Sequence, residues 1–310
     1  MKNKYPNKAY IVNAFTKDNI GGNKAGVVID CEHLTSEEML KIAAHLNLSE
    51  TAFITKSSNP LYDYEVRFFT PTTEVDLCGH ATIASFYTLG KLGLLDNSKE
   101  KLSLKQKTLA GILDIEVSFK NGNISSILMT QTSPEFHCYI EDLSDLCSIL
   151  GISPLEAGIP GIEVKPMIVS TGLKDIIFPV NSLNTLKKIT PDFGKLKNYT
   201  DNLNIVGLHA FTFETENTDS SVATRNFGPS VGIDEESATG TSNGALCAYI
   251  MKHNLMDFCT NLQISCEQGY YMNNPSEILC QGSIENNLIS IKVGGIGSIE
   301  KIVPLPDLLN

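Results

Sequence analysis

No apolar stretch in the 310-residue sequence approaches the roughly 18 to 20 residues that a membrane-spanning helix needs. The first residues place Asn13 inside a short apolar run, with Lys17 and Asp18 close behind, which does not read as a cleaved leader. A cytoplasmic protein that neither enters nor crosses a membrane is expected. Cations are few: 24 Lys and Arg against 35 Asp and Glu leave a formal charge of −11. They are also scattered, so a phosphate-neutralising surface is excluded and no nucleic-acid partner is expected. No two cysteines stand as Cys-x-x-Cys, and the six histidines are far apart. Local spacing therefore assembles neither a structural zinc site nor a two-histidine metal helix, and no metal is expected. Gly21-Gly22-Asn23-Lys24 lacks the Gly-Lys-Ser/Thr ending of a phosphate loop and reads as a turn. The eight cysteines, at 31, 78, 138, 147, 247, 259, 266 and 280, have no secretion signal beside them and are expected as free thiols.

What remains is a chain of ordinary composition, 42% hydrophobic, long enough for two modest cores or one large one. Residues 8–16 and 25–30 are β-branched or apolar runs bounded by Gly21, Gly22 and Asn23, and read as strands joined by a loop. Residues 35–47 read as a surface helix. Thr35 with Glu38 makes a capping box, and Met39, Ile42, Ala43 and Leu46 form one apolar stripe. Residues 48–54 and 64–70 read as strands. Further strands are predicted over 109–119, 124–129, 164–169, 176–180, 205–214, 262–267, 278–284 and 288–293, with short helices over 143–150 and 182–189.

Two segments differ in kind. Residues 81–90 and 237–251 carry no charge, and a helix apolar around its circumference belongs inside a protein. The stretches leading into them resemble each other. Arg67-Phe68-Phe69-Thr70-Pro71, Glu74 and Cys78-Gly79 precede the first; Arg225-Asn226-Phe227-Gly228-Pro229, Glu235 and Thr239-Gly240 precede the second. An internal duplication explains the match, with a seam near Asn121-Gly122-Asn123, hence domains over 1–122 and 123–310. The last strand is free to return to the first domain.

A helix start offers unpaired N–H groups and the positive end of a dipole, which suits a carboxylate. Gly79-His80-Ala81-Thr82 and Gly240-Thr241-Ser242-Asn243 both fit, and pseudo-symmetric packing would let the two starts face one another across one small acidic substrate. Either start alone reads equally as a well-capped helix. Glu50 ends an apolar stripe with Ala52 and Ile54, where its ionised form is poorly solvated, as suits a base working near neutral pH. A solvent-exposed glutamate at a strand end gives the same pattern. Cys78 and His80 as nucleophile and base are disfavoured, because residues two apart at a helix start diverge and no third group orients them.

Val12-Asn13-Ala14-Phe15-Thr16, Gly22 to Val27, Leu48-Ser49-Glu50-Thr51-Ala52-Phe53, Phe69-Thr70-Pro71 and Leu77-Cys78-Gly79-His80-Ala81-Thr82 resemble the ordered motifs of the PhzF-like, phenazine-biosynthesis family. Ser170-Thr171-Gly172-Leu173, Arg225-Asn226-Phe227 to Ala238-Thr239-Gly240, Gln268-Gly269, Pro275-Ser276 and Val293-Gly294-Gly295 continue the match. The resemblance implies an α+β, diaminopimelate-epimerase-like fold: two pseudo-symmetric domains, each a curled, mostly antiparallel sheet around a central helix. It implies a cofactor-independent isomerase and a homodimer. Glu50 would be the catalytic acid/base. Gly79, His80, Gly240, Thr241, Ser242 and Cys78 would line the site of a small carboxylate-bearing substrate.

Two departures matter. Where the family has Glu-Asp-Pro-Ala-Thr-Gly, this chain has Glu235-Glu236-Ser237-Ala238-Thr239-Gly240, so Glu236 takes the place of the substrate-contacting aspartate. Related epimerases use two cysteines, one at each helix start; here Cys78 matches the first, but Thr239 stands at the second. Glu236 stands beside Glu50 as a catalytic candidate, and an amino-acid or hydroxy-acid epimerase or racemase using Glu50, Cys78 or Glu236 from opposite faces, and an anion-binding protein without turnover, remain as alternatives.

Overall fold

A computed structural model describes residues 6–305, which build two compact units. The first comprises the chain up to Thr130 and again from Gly294; the second runs from Gln131 to Val293.

The first unit contains β1 (Lys8–Ala14), β2 (Asn23–Ile29), α1 (Ser36–Leu46), β3 (Thr51–Lys56), β4 (Tyr64–Phe69), β5 (Glu74–Val75), α2 (Gly79–Lys91), β6 (Lys101–Thr108), β7 (Gly111–Lys120) and β8 (Asn123–Thr130). Its strands pair antiparallel except at β2–β3 and β4–β6, which are parallel. Helix α1 begins as its capping box requires: Thr35 Oγ1 accepts from the Glu38 amide at 3.3 Å and Glu38 Oε2 accepts from the Thr35 amide at 2.7 Å. It buries Met39, Ile42 and Ala43 and stops at Asn47, whose left-handed backbone asparagine tolerates. Every residue of α2 from Ala81 to Leu89 is buried, against β1, β2, β3 and β8. Gly90 marks how close that packing is, since a Cβ there would lie 2.5 Å from Ile124 Cδ1.

The second unit repeats this order. It contains β9 (Glu135–Tyr139), α3 (Ser144–Leu150), β10 (Met167–Ser170), β11 (Lys174–Pro179), α4 (Leu183–Lys188), α5 (Phe193–Leu203), β12 (Gly207–Thr212), β13 (Val222–Gly228), β14 (Ile233–Glu236), α6 (Gly240–Lys252), β15 (Asn261–Gln268), β16 (Ser276–Glu285) and β17 (Leu288–Gly295), the last ending in the first unit's segment. Parallel pairs again fall at the second step, β11–β12, and across the short strand, β13–β15, with antiparallel pairs around them. Helix α6 takes the central place, buried from Ser242 to Met251. A satellite core under α3, α4 and α5 gathers Leu146, Leu150, Leu186, Leu196 and Phe227. The closing strand β18 (Gly297–Pro304) returns to pair antiparallel with β1, as β9 pairs with β10.

The turn Asn121-Gly122 joins β7 to β8, both residues at positive φ (52° and 74°) as such hairpins require. Hairpin pairing holds β8 in the first unit, so the units divide at Thr130 rather than at residue 122. Residues 237–239 are not helical. Thr239 is extended (φ −124°, ψ 104°), and α6 starts at Gly240. Helix α5 was not expected, because it buries only Leu196 and Thr200; Asp192, whose side chain accepts from the Lys195 amide, was its readable start. Among the described residues no helix is long and apolar enough to cross a membrane.

Candidate active site

The repeated Arg-x-Phe motif is a mechanical device in each unit. Arg67 donates through Nε and Nη2 to both oxygens of Glu74, at 2.7 Å each, and Arg225 does the same to Glu235 at 2.8 Å each. Each guanidinium also lies over the aromatic ring two residues on, 5.1 Å from the Phe69 centroid and 4.9 Å from that of Phe227. The forks tie β5 to β4 and β14 to β13, which fixes where the chain enters α2 and α6. At the start of each of these helices the N-cap residue, Cys78 or Thr239, makes no side-chain cap, unlike those of α1, α4 and α5. The cap side chains thus leave the first-turn amides of both central helices to another acceptor.

In the first unit three predicted residues come together. Glu50 sits between the end of α1 and the start of β3, its carbonyl accepting from the Gly26 amide at 3.0 Å. Its Oε2 lies 3.2 Å from His80 Nε2, an ion-pair distance with poor hydrogen-bond alignment. Cys78 Sγ lies 3.5 Å from His80 Nδ1, and Ser49 Oγ is 3.5 Å from Nε2. The expectation that Cys78 and His80 diverge is corrected: Cys78 is extended (φ −140°, ψ 117°), outside the helix, so helical spacing does not govern its side chain.

The charges follow from this packing. Burial pushes the Glu50 carboxyl up, but the close approach of His80 and its charge, with help from Ser49 and Cys78, outweigh it and hold Glu50 below the ordinary carboxylate range. A poorly solvated, weakly acidic Glu50 was expected; the histidine that reverses the direction comes from thirty residues on. For His80, burial pulls the imidazole down, but the sulfur of Cys78 and the Glu50 carboxylate raise it well above its usual value. Burial pushes the Cys78 thiol up more than His80 lowers it. Glu50 is thus held toward its carboxylate and His80 toward its imidazolium.

In the second unit the predicted residues separate. Glu236 ends β14, and its Oε2 accepts from Thr239 Oγ1 at 2.7 Å. Ser242 turns inward instead of lining an open surface: it is buried and its hydroxyl donates to Asp175 Oδ2 at 2.5 Å. Burial pushes that aspartate up to about 6 despite the Ser242 hydrogen bond. The Thr241 carbonyl accepts from Thr171 Oγ1 at 2.9 Å, and no Thr239 side-chain cap occupies the first-turn amides of α6.

Behind Glu236 lies a network that no sequence motif announced. Asn226 Nδ2 donates to His209 Nδ1 at 3.2 Å, and His209 Nε2 donates to Asn243 Oδ1 at 3.3 Å. Asn243 Nδ2 donates to Gln268 Oε1 at 2.8 Å, Gln268 Nε2 to Thr239 Oγ1 at 3.0 Å, and Thr239 Oγ1 to Glu236. Every donor points the same way, which fixes the tautomer of His209 and the rotamer of Thr239. The available signal was polar residues on an otherwise apolar helix: Asn243 is one turn after Thr239, and its amide also reaches the Thr239 carbonyl at 2.9 Å.

Residues 12–300 match the profile of the phenazine biosynthesis-like proteins, PhzC-PhzF. The chain belongs to the PhzF-like family. An uncharacterised isomerase of Clostridium acetobutylicum is 39% identical over 249 residues, 79% of this chain and 80% of its own. The trans-2,3-dihydro-3-hydroxyanthranilate isomerase of Pseudomonas chlororaphis is 28% identical over 288 residues, 93% and 95% of the two chains. The crystal structure of a Bacillus anthracis PhzF-family phenazine biosynthesis protein superposes with a TM-score of 0.85 at 28% identity, covering 97% of this chain and 99% of that one. The protein is therefore an isomerase of the PhzF-like family, and its two units, each a sheet around a buried helix, have the family's diaminopimelate-epimerase-like fold.

Proposed function

We propose that this PhzF-like isomerase moves a proton on a small carboxylate-bearing metabolite by general acid/base catalysis at Glu50, without a cofactor. The observation that carries the reading is the ion pair of Glu50 with His80 at the uncapped start of α2. A substrate carboxylate docked on the first-turn amides draws the His80 charge to itself. Glu50 then loses its stabilising partner, its pKa rises, and it becomes a stronger base when substrate is bound. It takes a proton from a substrate carbon as the C–H electron pair moves into the adjacent unsaturation, and returns the proton to another carbon. The isomerase from Pseudomonas chlororaphis, whose name specifies a dihydro-hydroxyanthranilate, makes cyclic carboxylates the first compounds to test.

A two-thiol epimerase is disfavoured, because the Thr239 hydroxyl at the start of α6 is committed to the Glu236 carboxylate. Glu236 is assigned to substrate contact, held by the chain of amides behind it. The first-turn amides of Gly240 and Thr241 are assigned, like those of Gly79 and His80, to carboxylate binding.

The test is proton exchange in D₂O, read by NMR over a panel of small carboxylates, with Glu50→Gln and Cys78→Ser in parallel. The amide keeps the shape of Glu50 but takes up no proton, so turnover should fall roughly 10² to 10⁴-fold, about 3 to 5 kcal/mol of barrier. Cys78→Ser should lose little. The reverse pattern would move the base to the cysteine and overturn the assignment.

A further inference from the structure

The cluster that suits proton transfer also has the composition and spacing of a metal site. One ligand atom from each of Glu50, Cys78 and His80 can be chosen so that all three lie within 4.8 Å of one another. Tetrahedral zinc, with about 2.3 Å to sulfur and about 2.0 to 2.1 Å to nitrogen or oxygen, sets ligand separations of about 3.3 to 3.6 Å. His80 Nε2 stands 3.2 Å from Glu50 Oε2 and 3.8 Å from Cys78 Sγ, within a few tenths of an ångström of those edges. The three residues come from two places, the Glu50 junction ahead of β3 and the fork-held start of α2, and because Cys78 Sγ lies nearer His80 Nδ1, at 3.5 Å, than Nε2, the Cys78 and His80 side chains must rotate to close on one ion. The side chains of His80 and Glu50 keep 12% and 23% of their exposure, which leaves a way in from solvent and a position for water.

Donor chemistry selects the cation. Sulfur with imidazole and one carboxylate suits a borderline-soft ion, whereas magnesium and calcium take oxygen. One thiolate and one carboxylate neutralise a dication, and the N-terminal end of α2 stabilises the thiolate.

We propose that Glu50, Cys78 and His80 form an inhibitory site for a divalent cation of the zinc class. On binding, the Cys78 S–H bond breaks and its proton, with the extra proton of His80, leaves to solvent as metal–sulfur and metal–nitrogen bonds form. Glu50 coordinates through an oxygen it would otherwise use as a base. The inhibition, though not the binding, rests on the role proposed for Glu50.

Cobalt(II) is the probe, because a thiolate ligand gives it a charge-transfer absorption that zinc lacks. The protein is titrated fully reduced in a Cys138→Ser, Cys259→Ser background, which removes the two exposed thiols. One equivalent should develop the thiolate band, and one equivalent of zinc should discharge it. Cys78→Ser should abolish the band, with circular dichroism confirming that the variant is folded. Glu50→Gln and His80→Gln should weaken zinc binding by at least about 10- to 100-fold, the loss typical of removing even an outer-shell partner. No thiolate band, or a band that survives Cys78→Ser, would overturn the site. Metal binding beside undiminished turnover in Glu50→Gln would leave the site standing and sink the acid/base assignment. Lost turnover in that variant with no cobalt band would do the opposite.

Discussion

Acidification should weaken this protein through one buried histidine, and the size of the effect follows from its surroundings. His209 is fully buried, accepts at Nδ1 from Asn226 and donates at Nε2 to Asn243. A second proton would set two donors against each other at Nδ1 in a fully buried site. Burial accordingly lowers the pKa from 6.5 to about 4, the Asn243 hydrogen bond opposing it only in part. The folded state thus refuses a proton that the unfolded chain accepts. Its contribution is complete above about pH 6.5 and is lost as pH falls toward about 4. Between about pH 7.5 and about pH 4.5 this linkage removes about 2.5 kcal/mol of stability.

His209→Gln carries no titrating group and isolates that loss. At neutral pH it should cost about 1 to 2 kcal/mol through poorer hydrogen bonds. Toward pH 4.5 the gap to the parent should close and then reverse. Since the sequence has no tryptophan, urea unfolding is best followed by far-ultraviolet circular dichroism across a pH series. A difference between the two proteins that stays constant, or widens, on acidification would refute the assigned tautomer and the directed network.

The two arginine forks should differ in worth. Arg225→Ala, which strips a 9%-exposed side chain from Glu235 and from the carbonyls of Leu186 and Ile189, should cost about 3 to 5 kcal/mol. Arg67→Ala, with 26% of its side chain exposed, should cost clearly less in the same denaturation assay; equal losses would contradict the burial argument. Thr239→Val should lower turnover and cost about 1 kcal/mol by removing the hydroxyl that donates to the Glu236 carboxylate and one of the two acceptors of Gln268 Nε2, which keeps the Glu236 carbonyl, while Thr239→Ser should restore both. Gly90→Ala should destabilise despite alanine's better helix propensity of about 1 kcal/mol, because Ile124 must give way; a higher melting temperature would show that the contact yields easily.

Features set by one segment were legible in the sequence; those set by two distant segments were not. The uncharged circumferences of α2 and α6 announced their burial, Thr35 and Glu38 announced the start of α1, and Arg67 with Glu74 and Arg225 with Glu235 announced a repeat. Glu50 was identifiable as an acid ending an apolar run. Its charge state was not, because His80 reaches it from another element and outweighs burial. Ser242 had the composition of a binding residue, yet Asp175, reached only through tertiary packing, holds its hydroxyl inside. His209 and Gln268 join α6 from two strands on either side of it in sequence, so no local pattern displayed the network.

The return of β18 to β1 sets an order for synthesis. β1 has two partners, β2 and β18, and the second leaves the ribosome only after all of residues 131–293. The unit begun first is thus completed last, while the continuous second unit has all its strands in hand before it. Until then β1 shows one bare edge, the kind of edge that recruits foreign strands. A chain interrupted after Val293 would carry that edge permanently, which makes late truncation more dangerous to this protein than the few residues lost would suggest.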